Sequence, residues 1–500
     1  MAYTQSPENN TYKTVEIKFD GTDLYRSGDL TVNRDLQIVN MYYDRISQEN
    51  KTRDVRLKKR PGLSASAYSL SKVSSSNVIR GSFYDVDQNA FYWAVGSFLY
   101  AVKPDSGTSV RTVATLNTSS GYVGFCSFLK SNNTRYVLIS DGTDLWVDDF
   151  AAVSCSRVTD ADMPTPHQPY PLYLDGYVFL IKTSTGDIYN SDVDDPTAWT
   201  AGEVISAEIS SDYAVRLFKA KNYIVCLGYN SIEYFWDAGN VSGSPLSRND
   251  SPFRGVGYIT GGAQGGDTIY FVGQDQSQNV AVYAINSFKV DRISNPVVER
   301  TLQVYTSTDN AKASVNLSQD GHIISVDGHT FYVLVTPQTT WVYDTDDKFW
   351  YEWKGSDNTG LKVEGVWGMF NGAVYMAIQG QTYISKLSQN VYRDFGSNYS
   401  CVYTTENETF GTFNWKVCHR VALDCSMHQY TGTSNATLTW SDNDWADGGS
   451  TASRSINVFS SSPYITRCGK FRNRSFRITY ADNYPFFMTG LKLDINVMGI

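Results

Sequence analysis

Cys418, His419, Cys425 and His428 are the side chains best suited by type and spacing to chemistry. Thiolates and imidazoles ligate zinc, and Cys425-x-x-His428 has a spacing that zinc sites use. The surrounding KVCHRVALDCSM alternates as a strand does, and successive strand residues point to opposite faces. Cys418 and His419 therefore do not face one ion, and the four read as structural thiols and ordinary imidazoles, with no metal. GGAQGGD (261–267) is glycine-rich but lacks the Lys-Ser/Thr of a phosphate-cradling loop, so it reads as a hairpin loop. SDNDWADGG (441–449) is rich in carboxylates, yet Ala446 falls at the third ligand place of a calcium loop. A polar hairpin turn is the plainer reading. No G-x-S-x-G or H-E-x-x-H occurs, and Asp85, Asp141, Asp175 and Asp212 show no spacing that picks out an acid/base pair. The expectation is no catalytic site and no cofactor.

A second concentration of charge is basic. Lys51, Arg53, Arg56, Lys58, Lys59 and Arg60 precede a Pro61-Gly62 turn, with Asp54 the one acid among them, in a chain of formal net charge −9. Such a run has three readings: a solvated loop, a docking strap for an acidic neighbour, or a local DNA contact, each phosphate pairing being modest and salt-sensitive. In each, Pro61 fixes the backbone, Gly62 permits the turn and Leu63 anchors in apolar surface.

The elements that must position these residues are strands. Across 500 residues the chain has 35 Tyr, 24 Phe, 11 Trp and 38 Gly, a composition that favours strands and tight turns. One pattern recurs: an apolar run of about five residues, a short polar turn, then an alternating strand with an aromatic. It starts at Phe91, Tyr136, Tyr177, Tyr223, Thr268, Phe331 and Ala373, so the intervals are 45, 41, 46, 45, 63 and 42 residues. Continuous apolar runs are strands covered on both faces. A period in the forties holds about four strands, the content of a propeller blade. The pieces just before each hairpin, such as NVIRGSFYD and YAVRLFKA, supply the inner strands.

The expected fold is all-β: a β-propeller of seven blades over residues 75–397, with an insertion near 291–318 inside the long interval. Six blades plus an extra hairpin is the alternative count. An extended N-terminal arm with short strands and the basic loop occupies 1–74, and a small β-sandwich-like domain occupies 398–500. No window of about 18 apolar residues exists, so no membrane insertion is expected. MAYTQSPENNTYK lacks the apolar core of a signal peptide, which points to synthesis in a cytoplasm. Seven scattered cysteines without paired spacing read as free, mostly buried thiols.

Two stretches carry a resemblance. NRDLQIVNMYYDRISQENKTRDVRLKKRPGLS resembles the opening of the packaged-DNA stabilisation proteins, also called tail hub or nozzle proteins, of short-tailed bacteriophages. Asn33, Asn40, Tyr42, Pro61, Gly62 and Leu63 occupy the places of that pattern, and the run Lys58-Lys59-Arg60 is heavier than it requires. At the other end, LTWSDNDWADGGSTASRSINV and the Arg-rich strand after it resemble the closing segment of the same family. There Ser441, Asp442, Asp447, Gly448 and Gly449 match around an insertion at Asn443–Ala446. The resemblance implies a non-enzymatic component of the virion tail, assembled in the host bacterial cytoplasm. It implies a homo-hexameric ring under the portal and its adaptor ring, touching tail fibres or spikes and tail-tip proteins. Genomic double-stranded DNA is retained by this ring and leaves through it. Interface candidates are Asn33, Asn40, Tyr42, Lys58, Lys59, Arg60, Pro61, Gly62, Asp442 and Asp447.

The competing reading is a propeller that binds carbohydrate as an adhesin or hydrolyses glycosides. Hydrolysis requires two carboxylates roughly 5–10 Å apart in one axial pocket. A WD-type scaffold would show recurring Gly-His and Trp-Asp pairs, which are missing.

Overall fold

The structure, a computed structural model, describes residues 12–19, 37–46, 54–69, 79–103, 110–150, 155–210, 212–249, 253–306, 320–336, 339–370, 373–425, 427–446 and 449–498. Asn33, Lys51, Arg53 and Asp447 lie outside the described residues, as does the segment 307–318 of the expected insertion.

Apolar runs place the core first. Ala90–Val95 and Ala373–Ile378 are buried at every residue, whereas Arg111–Thr115 alternates. Each buried run is the second strand of a four-stranded antiparallel sheet, covered by the neighbouring sheet on either side. Six such four-strand units span 79–115, 124–157, 172–206, 214–248, 256–292 and 322–353, the fourth with Phe253–Arg254 added and the sixth continuing into a nine-stranded sheet. A seventh takes three strands from 363–388 and its outer strand, Gly62–Ser69, from near the N-terminus. The first strands of successive sheets touch in ring order, and the first strand of the seventh touches Ile79–Asp85 of the first. This is a closed seven-bladed propeller, and closure leaves no open sheet edge between its first and last blades. Glycines let the inner strands approach. A Cβ on Gly81 would lie 2.0 Å from the Val123 carbonyl oxygen, and one on Gly124 would lie 1.9 Å from that of Pro169.

The long repeat interval contains a helix, Pro296–Thr306. Asn295 caps it, its Oδ1 accepting the Val298 amide at 3.0 Å, and Pro296 takes the first helical position. Val298 and Leu302 are fully buried in a cluster with Val282 of the fifth blade and Trp341 of the sixth, so the helix fills a seam between blades.

Strands from the N-terminal segment enter each part of the molecule. Lys13–Lys18 pairs with Gly490–Val497 in one sheet of a sandwich that also contains Lys416–Asp424, Tyr464–Thr466 and Lys470–Phe471. The facing sheet holds Cys401–Thr404, Ser475–Tyr480, Asn435–Ser441 and Ala452–Asn457. Ile38–Val39 lies antiparallel to Cys401–Thr404 and parallel to Phe349–Trp353, joining that sheet to the sixth blade. Met41–Ile46 and Asp54–Lys59 form a hairpin on which Phe487–Met488 docks. One apolar cluster runs from Tyr42 and Leu57 through Val342 and Trp353 to Leu438 and Leu493, so propeller and sandwich share a core.

Candidate functional site

The basic run sits where these parts meet. Asp54–Lys59 alternates: Leu57 and Lys59 face inward, while Arg56 and Lys58 face outward. Lys59 and Arg60 have no solvent exposure. Burying a guanidinium requires a counter-charge and a partner for each donor. Arg60 has both: Nη2 lies 2.6 Å from Asp394 Oδ2 and Nη1 lies 3.1 Å from Oδ1. Its remaining donors reach Asn40 Oδ1 (2.8 Å), the Pro61 carbonyl (2.8 Å) and the Lys354 carbonyl (2.9 Å). The plane lies 3.9 Å from the centre of the Tyr399 ring, and the Tyr399 hydroxyl donates to the Arg60 carbonyl. Burial works against the Arg60 charge, but Asp394 outweighs it and holds the pKa above the usual value. Lys59 donates to the Asp482 carbonyl at 2.7 Å and lies 4.4 Å over Tyr399, its pKa pulled down by burial.

Asn40 explains itself in the same place. Its φ is 56°, a left-handed conformation that Asn tolerates better than most residues. From there Nδ2 donates to the Ser400 carbonyl at 2.8 Å, and Oδ1 accepts from Arg60 and from the Lys354 amide. Asp394 also accepts the Leu63 amide at 3.1 Å, which fixes the start of the strand that closes the ring. Residues 40, 60, 354, 394 and 399 thus make one clasp between the N-terminal strands, the sixth and seventh blades and the first strand of the sandwich.

Outside the clasp the hairpin meets the sixth blade through charges. Lys58 Nζ lies 2.7 Å from Asp327 Oδ2, which also accepts the Tyr42 hydroxyl. Arg56 pairs with Asp44 at 2.7 Å and Arg45 with Asp347 at 2.7 Å. His329 lies between acids, with Nδ1 2.8 Å from Asp344 and Nε2 4.0 Å from Asp44. The hydrogen bond to Asp344 and the nearby Asp44 carboxylate raise its pKa to about 10, so it is a cation at neutral pH. The same contact, with Arg56 beside it, lowers Asp44 to about 2. His329, Asp344 and Asp347 have the donor types and spacing of a metal site. Here the protonated imidazole and Arg45 supply the positive charge that an ion would bring.

The propeller axis is crossed by side chains. Asp320 accepts from the Tyr122 hydroxyl and from Arg216, which also donates to the Tyr258 hydroxyl at 3.0 Å. The Arg216 guanidinium lies 4.2 Å over Tyr170, whose ring centre is 5.2 Å from that of Tyr122. These residues come from the second to sixth blades. Blades two, four and six are not neighbours in a ring of seven, so their side chains meet only at its centre. Asp320 is taken up by Arg216 and Tyr122 rather than paired with a second carboxylate across a pocket, as glycoside hydrolysis requires.

Of the residues read as interface candidates, Asn40, Tyr42, Lys59, Arg60, Pro61 and Gly62 are buried within this chain and engaged by one another or by near neighbours. Lys58 and Asp442 retain partial exposure. Asp442 receives two nitrogens of the fully buried Arg474, at 2.6 and 2.9 Å, so it ties the start of the SDNDWADGG turn to the sandwich core. Of GGAQGGD, residues 261–265 end the inner strand Val256–Gly265, and only Gly266 and Asp267 make the turn into Thr268–Asp275. The four Cys and His candidates are not brought together: Cys418 is buried, His419 lies on the exposed face near the Tyr12 ring, and Cys425 approaches the Val458 carbonyl. The clasp and the axial cluster were not singled out from sequence. Clasp partners of Arg60 lie 294 and 334 residues away, whereas the axial residues recur at the same place in successive repeats, at or just before each inner strand.

A family model described as "Bacteriophage P22 Gp10, beta-propeller" matches residues 37–391, from the bridging strand at Ile38 to the end of the seventh blade. No curated protein matches the chain. Among solved structures it is similar to the N-terminal domain of Nup159, at 10% identity over 71% of this chain and 99% of that one, with a TM-score of 0.39. A chain of the mitotic checkpoint complex is similar at 10% identity over 74% and 98%, with a TM-score of 0.38.

Proposed function

Since the chain belongs to the phage stabilisation family, a family of structural phage tail proteins, we propose that it is the hub of a short tail. In this reading six copies form a ring that continues the portal and adaptor conduit, retains packaged DNA and lets it pass at ejection. The observation that carries the reading is the family match over residues 37–391. The axial cluster adds a constraint: a duplex does not thread a propeller whose centre is filled by Arg216, Asp320 and Tyr122. The conduit then lies between copies, and the propeller is part of its wall. Joining propeller to sandwich through one core suits a wall under load. A net charge of −9 suits a lumen that repels passing phosphates, since a basic one would bind DNA. Contact with the adaptor ring, with fibres or spikes and with the tail tip falls to exposed surface, Lys58 and Asp442 among it, rather than to Arg60.

The test is genetic. Virions made without this protein are expected to fill with DNA and then lose it, read as genome that becomes nuclease-sensitive after packaging. Particles that lack the protein yet hold their genome as firmly as the wild type would overturn the retention role.

A further inference from the structure

Cys418 lies on the buried face of the strand Lys416–Asp424. Opposite it the chain turns back through Arg467, Cys468 and Gly469, with left-handed φ at Arg467 (58°) and Gly469 (77°). The Cys468 amide donates to the Cys418 carbonyl at 3.1 Å, and the Cys418 amide donates to the Gly469 carbonyl at 2.9 Å. Two residues of the turn therefore oppose one of the strand, as in a bulge. This register brings the two cysteines side by side, both 1% exposed, and the Cys418 thiol lies 3.5 Å from the Arg420 carbonyl. Opposed residues of antiparallel strands have Cα atoms about 4.5–5.5 Å apart, inside the span of about 4.4–6.8 Å that a disulfide bridges.

The two thiols are unequal. The neighbouring Cys418 thiol lowers the Cys468 pKa, and the Arg474 and Arg454 charges lower it further against the effect of burial. The same proximity, together with burial, raises Cys418. Burial pushes the other thiols up: Cys126, Cys155 and Cys425 to about 12, Cys401 to about 11, and Cys226 higher still. Thiolate character, which sets reactivity, is thus concentrated at Cys468. Arg474, fully buried, donates to the Cys468 carbonyl at 2.6 Å and holds this turn in place. Cys468 also lies just under the surface, because Arg467 and Gly469 on either side of it are exposed.

We propose that Cys418 and Cys468 form an oxidation site that a small peroxide converts to a disulfide. The Cys468 thiolate attacks one peroxide oxygen. The O–O bond breaks, hydroxide leaves and takes up a proton, and Cys468 becomes a sulfenic acid. Cys418 then loses its proton and attacks that sulfur. The S–S bond forms, the S–O bond breaks, and hydroxide leaves as water with the proton from Cys418. Two thiols are oxidised and one peroxide is reduced to two waters. The link ties the strand to the turn within the sandwich. A chain made in a reducing cytoplasm would acquire it only in a particle released to an oxidising medium.

The full-length protein is exposed natively to hydrogen peroxide, quenched with catalase, denatured, alkylated and mapped by peptide mass spectrometry. Five of the seven cysteines are expected to alkylate, with 418 and 468 in one linked pair, and reduction restores all seven. In the variant Cys418→Ser, dimedone is expected to trap a sulfenic acid at Cys468. Wild-type protein that keeps all seven thiols, or that oxidises elsewhere before this pair links, would overturn the proposal. That mapping needs no variant, so a folding defect in Cys418→Ser leaves the test intact.

Discussion

Replacing Asp394 with Asn should loosen the closure of the propeller ring. The substitution keeps the size of the side chain and one acceptor but removes the charge opposite Arg60, whose own side chain is 0% exposed. Removing one partner of a buried ion pair costs about 3–5 kcal/mol, because the other charge is left uncompensated. Arg60 keeps its bonds to Asn40, the Pro61 carbonyl and the Lys354 carbonyl, which argues for the lower end. About 3 kcal/mol corresponds to roughly a hundredfold change in an opening equilibrium. The strand next to the clasp, Gly62–Ser69, is held by its ladder to Tyr383–Ser388, with Leu63 opposite Leu387 and Ala65 opposite Ser385. Native-state hydrogen exchange reads that ladder directly. In Asp394→Asn, amides of 62–69 and 383–388 should exchange roughly a hundredfold faster, while those of the third blade, at 172–206, stay unchanged. If all these amides exchange at the wild-type rate, the Arg60–Asp394 pair does not hold the ring shut and the clasp is only decorative.

Two further outcomes follow. A Cβ on Gly257 would lie 1.5 Å from the backbone oxygen of Tyr229, which has nowhere to move, so Gly257→Ala should cost several kcal/mol, of order 3 or more. Gly96 has φ +54° and open space around it, so Gly96→Ala should cost only about 1–2 kcal/mol of backbone strain. Thermal melts of the pair should separate them, and equal melts would contradict the tight approach of the fourth and fifth blades. The hairpin on the sixth blade should also depend on pH at both ends. His329 is raised from 6.5 to about 10, so its contribution is full below 6.5 and is lost as pH rises through 10. Asp44 is lowered from 3.8 to about 2, so its contribution is present above 3.8 and is lost as pH falls through 2. Melting temperature against pH should lose its alkaline limb in His329→Gln and flatten at the acid end in Asp44→Asn; unaltered profiles would refute the network.

The propeller was legible in sequence because its second strands are buried on both faces and return every forty-odd residues. Runs such as FYWAV and YVFLI have no other stable home. The outer strand of the seventh blade was not, since GLSASAYS is small and half exposed and carries no apolar signal. The helix in the long interval is only eleven residues, and its partners lie on two different blades. Arg60 was misleading for a physical reason: charge runs are normally solvated, and its counter-ion lies 334 residues away. One local clue existed. In DVRLKK strand alternation puts Lys59 on the same face as Leu57, so one lysine of the run had to point inward. The cysteines were read as free thiols, as all seven are in the structure, but the nearness of 418 and 468 was not legible because they meet only through the fold of the sandwich.

The central claim is that this chain is a wall of the tail conduit, with DNA passing between copies and not through any one propeller. Electron cryomicroscopy of the intact virion tail, with the chain located by a tag on its C-terminus, tests it most directly. The account predicts six copies in a ring beneath the portal and adaptor, with duplex density in the gap that the propellers enclose. A tail in which the tagged chain lies off the conduit, or in which no ring of it surrounds the DNA, would contradict it.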